Sequence, residues 1–176
     1  MPHVFEPAAS GRSTCRGCGR ALERGELRFG ERLPNPFAEG TELTLWFHPA
    51  CAAYKRPQSL LEALASAEGI DGRDHLERIA RAGLEHARLP RLDGAERARG
   101  QASCRGCREP IVRGSWRIRL VFFEEGRFHP AGFVHLACGR AYFECEELAE
   151  RLFHFSPGLD EAERAALQAA CEAPAA

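Results

Sequence analysis

GRSTCRGCGR (residues 11–20) returns in altered form as GQASCRGCRE (residues 100–109), with CRGC at the centre of each copy. Each cysteine pair has a distant complement. Cys15-x2-Cys18 is followed after 29 residues by His48-x2-Cys51, and Cys104-x2-Cys107 after 27 residues by His135-x2-Cys138. Three thiolates and one imidazole per copy suit a tetrahedral zinc ion: the close pair grips one side from a tight turn and the second pair closes the other. Two ions are therefore expected, both structural, because protein side chains fill all four positions and leave none for water or substrate. A disulfide framework leaves the matching histidines unexplained and goes with a secretion signal, which MPHVFEPAASGR does not resemble. His129, six residues before His135, competes as a ligand, but only His135 completes the H-x2-C pattern.

The segments between the ligands read as β-structure. ELRFGERL (26–33), TELTLWFH (41–48), SWRIRLVFF (115–123) and GRFHPAGFVH (126–135) alternate at roughly period two, and after each His-x2-Cys the pattern turns helical. Ser59 is a candidate cap for SLLEALASA; Asp71 and Asp160, with Asp74 and Glu163 three residues on, are candidate caps for two further amphipathic segments. Gly69-Ile70-Asp71 and Gly158-Leu159-Asp160 share the cysteine pairs' offset of 89 residues. The duplication thus covers whole units. The fold class predicted is α+β: two small zinc-stabilised fingers, 1–90 and 91–176, each a short antiparallel sheet followed by helices, with ARLPRLDGAERARG (87–100) as the junction. A unit of about 80 residues buries little apolar surface, whereas a structural zinc contributes about 10–16 kcal/mol that is also folding energy.

A formal net charge of −1 hides an uneven distribution. Six arginines face three glutamates over residues 10–37, and seven face one over 97–120, while from Phe143 onward eight acids oppose two arginines. Positive charge therefore gathers around the cysteine pairs. It is nearly all arginine, Lys55 being the only lysine. No apolar run reaches the roughly 18 residues of a membrane span, so a soluble intracellular protein is expected, in the cytoplasm or nucleoid if bacterial and in the nucleus if eukaryotic. No Gly-rich phosphate loop and no nucleophile set outside the metal positions is present, so neither enzymatic activity nor a small-molecule substrate is expected.

The order C-x2-C, about 30 residues, H-x2-C, with Trp46-Phe47 before the histidine and a helix after it, resembles the PARP-type zinc finger of poly(ADP-ribose) polymerases and of a nick-sensing DNA ligase. SGRSTC (10–15) is close to that family's entry motif, and Leu27-Arg28-Phe29 carries its strand leucine-arginine pair. The resemblance spans nearly the whole chain as two tandem fingers, so a stand-alone protein lacking a catalytic domain is expected. It implies DNA binding, with recognition of strand breaks, nicks or ends as a step in DNA repair. Arginines would meet backbone phosphates, an apolar loop would stack on the base exposed at the break, and a repair enzyme would follow. Arg12 and Arg28 fall on the phosphate-binding positions. Arg117 repeats the strand position, Gln101 stands where Arg12 would recur, and Arg99 and Arg105 are placed to compensate. The stacking loops would be LPNPFAEGTEL (33–43), with Phe37 and Leu43, and FFEEGRF (122–128), with Phe123 or Phe128. Trp46 and Phe133, two before each histidine, read as core aromatics. The other class of function open to such a chain is a zinc-stapled adaptor that binds protein.

Overall fold

The structure is a computed structural model that describes residues 2–173. The chain forms two compact units: Met1–Pro90 with Phe123–Phe128, and Arg91–Phe122 with His129–Ala176. Each holds a three-stranded antiparallel sheet and helices, so the fold is the predicted α+β repeat.

In the first unit, β1 (Val4–Pro7), β2 (Leu27–Pro34) and β3 (Glu42–Phe47) pair in that order, with Phe29 opposite Phe47 and Glu6 opposite Arg28. The period-two pattern divides the faces. Phe29, Leu45 and Phe47 point inward and are fully or almost fully buried on the side of α1 (Pro49–Lys55) and α2 (Pro57–Ser66), which in turn pack on α3 (Arg73–Glu85); Cys51, Leu60, Leu64 and Ile79 are the helices' buried residues in this core. Trp46 lies across the other face. A Cβ on Gly30 would come within 2.7 Å of its ring, which explains a glycine in mid-strand. Glu31 is also inward and 0% exposed; Arg56 grips both its oxygens at 2.9 and 2.8 Å, and Ser59 donates to it at 2.5 Å.

Ser59 is thereby spent on the sheet rather than on a cap. α2 starts two residues earlier at Pro57, whose fixed φ suits a first helical position. Asp71 is not a cap either, because α3 follows Gly72, held at φ 67°. Asp160 behaves as expected: it accepts from the Glu163 N–H and forms a capping box at the start of α6 (Glu161–Glu172).

In the second unit, β4 (Leu92–Arg97), β5 (Trp116–Glu124) and β6 (Arg127–His135) form the sheet, backed by α4 (Gly139–Phe143), α5 (Ala149–His154) and α6. Ile118, Leu120, Val134, Phe143, Leu152 and Leu167 are its core. The stretch read as a junction from sequence therefore contains a strand. Its alternation is broken at Gly94, where φ is 98°, the register shifts, and an added Cβ would lie 2.4 Å from the Phe155 carbonyl oxygen. Ser156 secures the same place by accepting from the Ala95 N–H at 2.8 Å.

Candidate metal centres and the faces beside them

CRGC is a turn. In the first copy the Cys15 N–H donates to the Arg20 carbonyl at 2.8 Å and the Gly19 N–H returns to the Cys15 carbonyl at 2.8 Å. The second copy repeats both bonds, from Cys104 to Glu109 and from Arg108 to Cys104, at 2.9 Å. In the first copy the glycine of the motif has a steric reason: a Cβ on Gly17 would sit 2.9 Å from the Cys51 Cβ, whereas a Cβ on Gly106 would meet Cys138 at an ordinary 3.5 Å. Each turn is fastened to the last strand before the histidine, by Arg16 N–H to Trp46 O at 2.9 Å and Arg105 N–H to Phe133 O at 2.8 Å.

Cys15, Cys18, His48 and Cys51 bring their ligand atoms within 4.8 Å of one another, and so do Cys104, Cys107, His135 and Cys138. His48 Nδ1 lies 3.5 Å from Cys18 Sγ and 3.8 Å from Cys51 Sγ; His135 Nδ1 lies 3.4 and 3.8 Å from Cys107 and Cys138. Zinc–ligand bonds of about 2.0–2.3 Å require tetrahedral edges of roughly 3.4–3.8 Å, so both donor sets fit zinc. In each site the other ring nitrogen, Nε2, is 3.2 Å from a backbone carbonyl, of Ala21 or of Pro110. That bond fixes the tautomer that leaves Nδ1 free for metal. His129 belongs to neither tetrad; its ring stacks on Phe122 at 5.2 Å.

Proton affinity within the tetrads is uneven. Hydrogen bonds from Cys15 and Cys51 hold the Cys18 thiol far below its ordinary value, and bonds to Cys15 and Cys18 push His48 up to about 10. In the second site burial raises Cys104, but the N–H groups of Cys107, His135 and Gly106 outweigh it and bring the thiol to about 6, while burial and Cys107 push Cys138 up to about 12. In the first site a bound zinc would take the place of the proton that the thiolates share with His48.

The sites differ outside the ligands. Arg20 Nε donates to Cys18 Sγ at 3.5 Å, a contact the sequence reading missed, while the matching position in the second copy is Glu109. Cys107 is exposed where Cys18 is half-buried. A chelator titration should therefore remove zinc in two phases, the second site first, and Arg20→Glu should weaken the first site by about tenfold and bring the phases together. One unchanged phase would refute the asymmetry.

The residues expected to meet DNA fall into two groups. Arg12, Arg99 and Arg105 are exposed. Arg28 and Arg117 are 7% and 8% exposed, and each lies within a repeated triple. Arg28 pairs with Glu6 at 2.6 Å and its guanidinium carbon lies 3.6 Å from the Trp46 ring centroid; Arg117 pairs with Glu96 at 2.5 Å and lies 3.6 Å from the Phe133 ring. Burial raises the Glu96 carboxyl pKa, but Arg117 and Arg119 outweigh it and hold the group below its usual range. Trp46 and Phe133 are thus half-exposed platforms under arginines rather than core residues. Glu6 and Glu96 gave no sequence signal, being single acids far from their partners.

The two candidate stacking segments also differ. Residues 35–41 form a true loop, closed by Asn35 N–H to Thr41 O at 3.0 Å, Thr41 Oγ1 to Ala38 O at 2.8 Å and Phe37 N–H to Asn35 Oδ1 at 3.0 Å, and Phe37 on it is 73% exposed. Leu43 lies in β3, half-buried opposite Leu33. FFEEGRF is not a loop: β5 and β6 meet at a two-residue turn, Glu125-Gly126, with φ 48° and 77°, the primed geometry that continues a hairpin's twist. Phe128 is half-buried in the first unit, 5.0 Å from the Phe123 ring and 6.4 Å from Phe47.

Comparison with known proteins bears on the whole arrangement. Residues 6–87 match the family described as the poly(ADP-ribose) polymerase and DNA-ligase Zn-finger region. A poly(ADP-ribose) polymerase of Sarcophaga peregrina is 28% identical over 144 residues, covering 70% of this chain, and one of Oryza sativa subsp. japonica is 27% identical, covering 75%. A polynucleotide 3'-phosphatase of Arabidopsis thaliana is 26% identical over 78% of the chain. The chain spans 14% of the length of either polymerase and 24% of the phosphatase. Among the described residues no helix is long and apolar enough to cross a membrane. A family match across the first tetrad makes residues 6–87 a PARP-type zinc finger, and relatives aligned over more chain than either unit holds, with a second tetrad of the same donors, fit a tandem pair of such fingers.

Proposed function

We propose that the protein is an intracellular DNA-binding module that recognises interruptions in a duplex, in repair, and performs no chemistry of its own. The observation that carries this is Phe37. A large aromatic left 73% exposed, on a loop that its own hydrogen bonds hold in place, is a ready surface for the base face that a nick or end uncovers. Of the arginines expected to meet DNA, Arg12, Arg99 and Arg105 are exposed and available for phosphate. The relatives, polymerases and a phosphatase named for nucleic-acid or ADP-ribose chemistry, are consistent with this reading. The buried pairing of Arg28 and Arg117 favours the other reading, a zinc-stapled protein adaptor, because it leaves fewer arginines free.

Zinc-loaded protein titrated with nicked and with hairpin-closed intact duplex separates the two readings. The nicked form should bind tighter, Phe37→Ala should remove about 1–3 kcal/mol of that preference, and Arg12→Glu should weaken both forms and flatten the salt dependence. Equal affinity for both forms reduces the function to backbone binding, and absence of binding to either leaves the adaptor.

A further inference from the structure

The second unit carries a basic groove in which only Arg105 was already expected to meet phosphate. Two adjoining open depressions, of about 480 and 650 Å3, share Arg105 and Gly132 in their walls. Arg91 and Phe122 complete the first, and Arg108 the second; no carboxylate lines either. Gly132 has φ 96°, and a Cβ there would fall 2.9 Å from Arg105 Nε, so the glycine seats the guanidinium against the strand. Among the described residues neither Arg105 nor Arg108 has a side-chain hydrogen bond or ion pair, and Arg91 makes one contact, to the Val121 carbonyl at 3.4 Å. This is the reverse of Arg117, whose charge is already met by Glu96.

The aromatic wall is equally specific. Phe122 is 39% exposed, and His129, across the hairpin, stacks beneath it with 25° between the ring planes. A ring supported from behind and open in front is a platform for another flat group. Cations that line the same depression as such a platform suit one class of ligand, an unpaired nucleotide, which offers a phosphate and a π-face together. Intact duplex presents its phosphates but keeps its base faces covered, and an acidic peptide presents charge without the flat group.

We infer that the groove of Arg91, Arg105, Arg108 and the Phe122–His129 stack holds single-stranded DNA, the overhang that flanks a processed end. The inference rests on the DNA-binding reading and adds to it a division of labour: Phe37 covers the exposed base pair, and the second finger receives the unpaired strand beside it.

The test compares zinc-loaded protein on three probes of equal duplex length: a nicked duplex, a blunt end and an end with a short single-stranded overhang. The overhang should bind about tenfold tighter than the blunt end. Phe122→Ala and Arg91→Gln, each 13 residues in sequence from the nearest metal ligand, should each cut that gain to about twofold while leaving nicked-duplex affinity and zinc content unchanged. Arg105→Gln, at a residue that also belongs to the phosphate-binding set, should cut the overhang gain and weaken the nicked duplex as well, with zinc content reporting whether the adjacent Cys104 has been disturbed. Nicked-duplex binding without any overhang gain, or a gain that survives Phe122→Ala and Arg91→Gln, overturns the groove and leaves the break-binding reading standing. Binding to none of the probes removes both. Displacement of the overhang by millimolar deoxynucleoside monophosphate as effectively as by oligonucleotide would overturn the strand assignment in favour of a mononucleotide site.

Discussion

Cys51→Ala leaves the first finger without a stable fold and the chain with one bound zinc instead of two. Cys51 is 0% exposed, lies in the first turn of α1, and touches the turn that carries Cys15 and Cys18. The ion it helps to hold is thus the joint between the CRGC turn and the helix. Binding of a structural zinc is worth about 10–16 kcal/mol, as much as the whole stability of an ordinary domain at about 5–15 kcal/mol, and a tetrad reduced to three ligands gives up a large share of it. The remaining core of Phe29, Phe47, Leu60 and Ile79 is too small to compensate. Zinc analysis with amide spectra resolved by residue should show loss of dispersion across residues 2–90 and retention of the second sheet. Cys171→Ala, which removes a thiol outside both tetrads, should change neither. A Cys51→Ala protein with a cooperative unfolding transition for its first unit would mean that the apolar core, not the metal, holds the finger.

The metal centres were legible in the sequence because their information is local and chemical: two residues of spacing within each pair, the same donors twice, and a glycine whose need is steric. β2, β3, β5 and β6 were legible because period-two alternation marks them. β1 and β4 were not. β1 has only four residues, and β4 hides behind Pro90, a glycine bulge and a run of charge that together imitate a linker. Competition explains the failed caps. Ser59 has a stronger partner in buried Glu31, and Gly72 takes the left-handed turn that Asp71 would have had to precede. The two hairpins looked interchangeable from composition, yet one is a seven-residue loop with an exposed phenylalanine and the other a two-residue turn, a difference set by Asn35 and Gly126 rather than by hydrophobicity. The least legible feature was the state of the strand arginines. Arg28 and Arg117 look alike in sequence to Arg12 or Arg105, and what buries them lies twenty or more residues away, in Glu6 and Glu96.

Glu6→Gln settles what Arg28 is for. The guanidinium donates through one terminal nitrogen to Glu6 at 2.6 Å and through the other to Ser13 at 3.2 Å, while its Nε is buried without a partner. The Arg28 side chain is 9% exposed and that of Glu6 43%, so the two ends of the pair are not equivalent. Removing the arginine lets Glu6 rehydrate at small cost. Removing the carboxylate strands a cation between Trp46 and the strand, and breaking a buried pair from that side costs about 2–3 kcal/mol after allowance for the open edge. Chemical denaturation of the zinc-loaded protein should show that loss for Glu6→Gln and a smaller one for Arg28→Gln. DNA binding then divides the roles. If phosphate replaces Glu6 as the partner of Arg28 in the complex, Glu6→Gln removes a competitor, so affinity for nicked duplex rises and its salt dependence steepens by about one phosphate contact. If Arg28 only ties β1, Trp46 and the CRGC turn together, stability falls while affinity and salt dependence stay where they were. The same pair of measurements at Glu96 is weaker evidence, because Arg119 shares that carboxylate with Arg117 at 3.2 Å and falls back on Asp93 when it is lost, so two ion pairs change at once. The first finger, with one acid for one arginine, is where a structural ion pair and a phosphate site held closed by an internal carboxylate can be told apart.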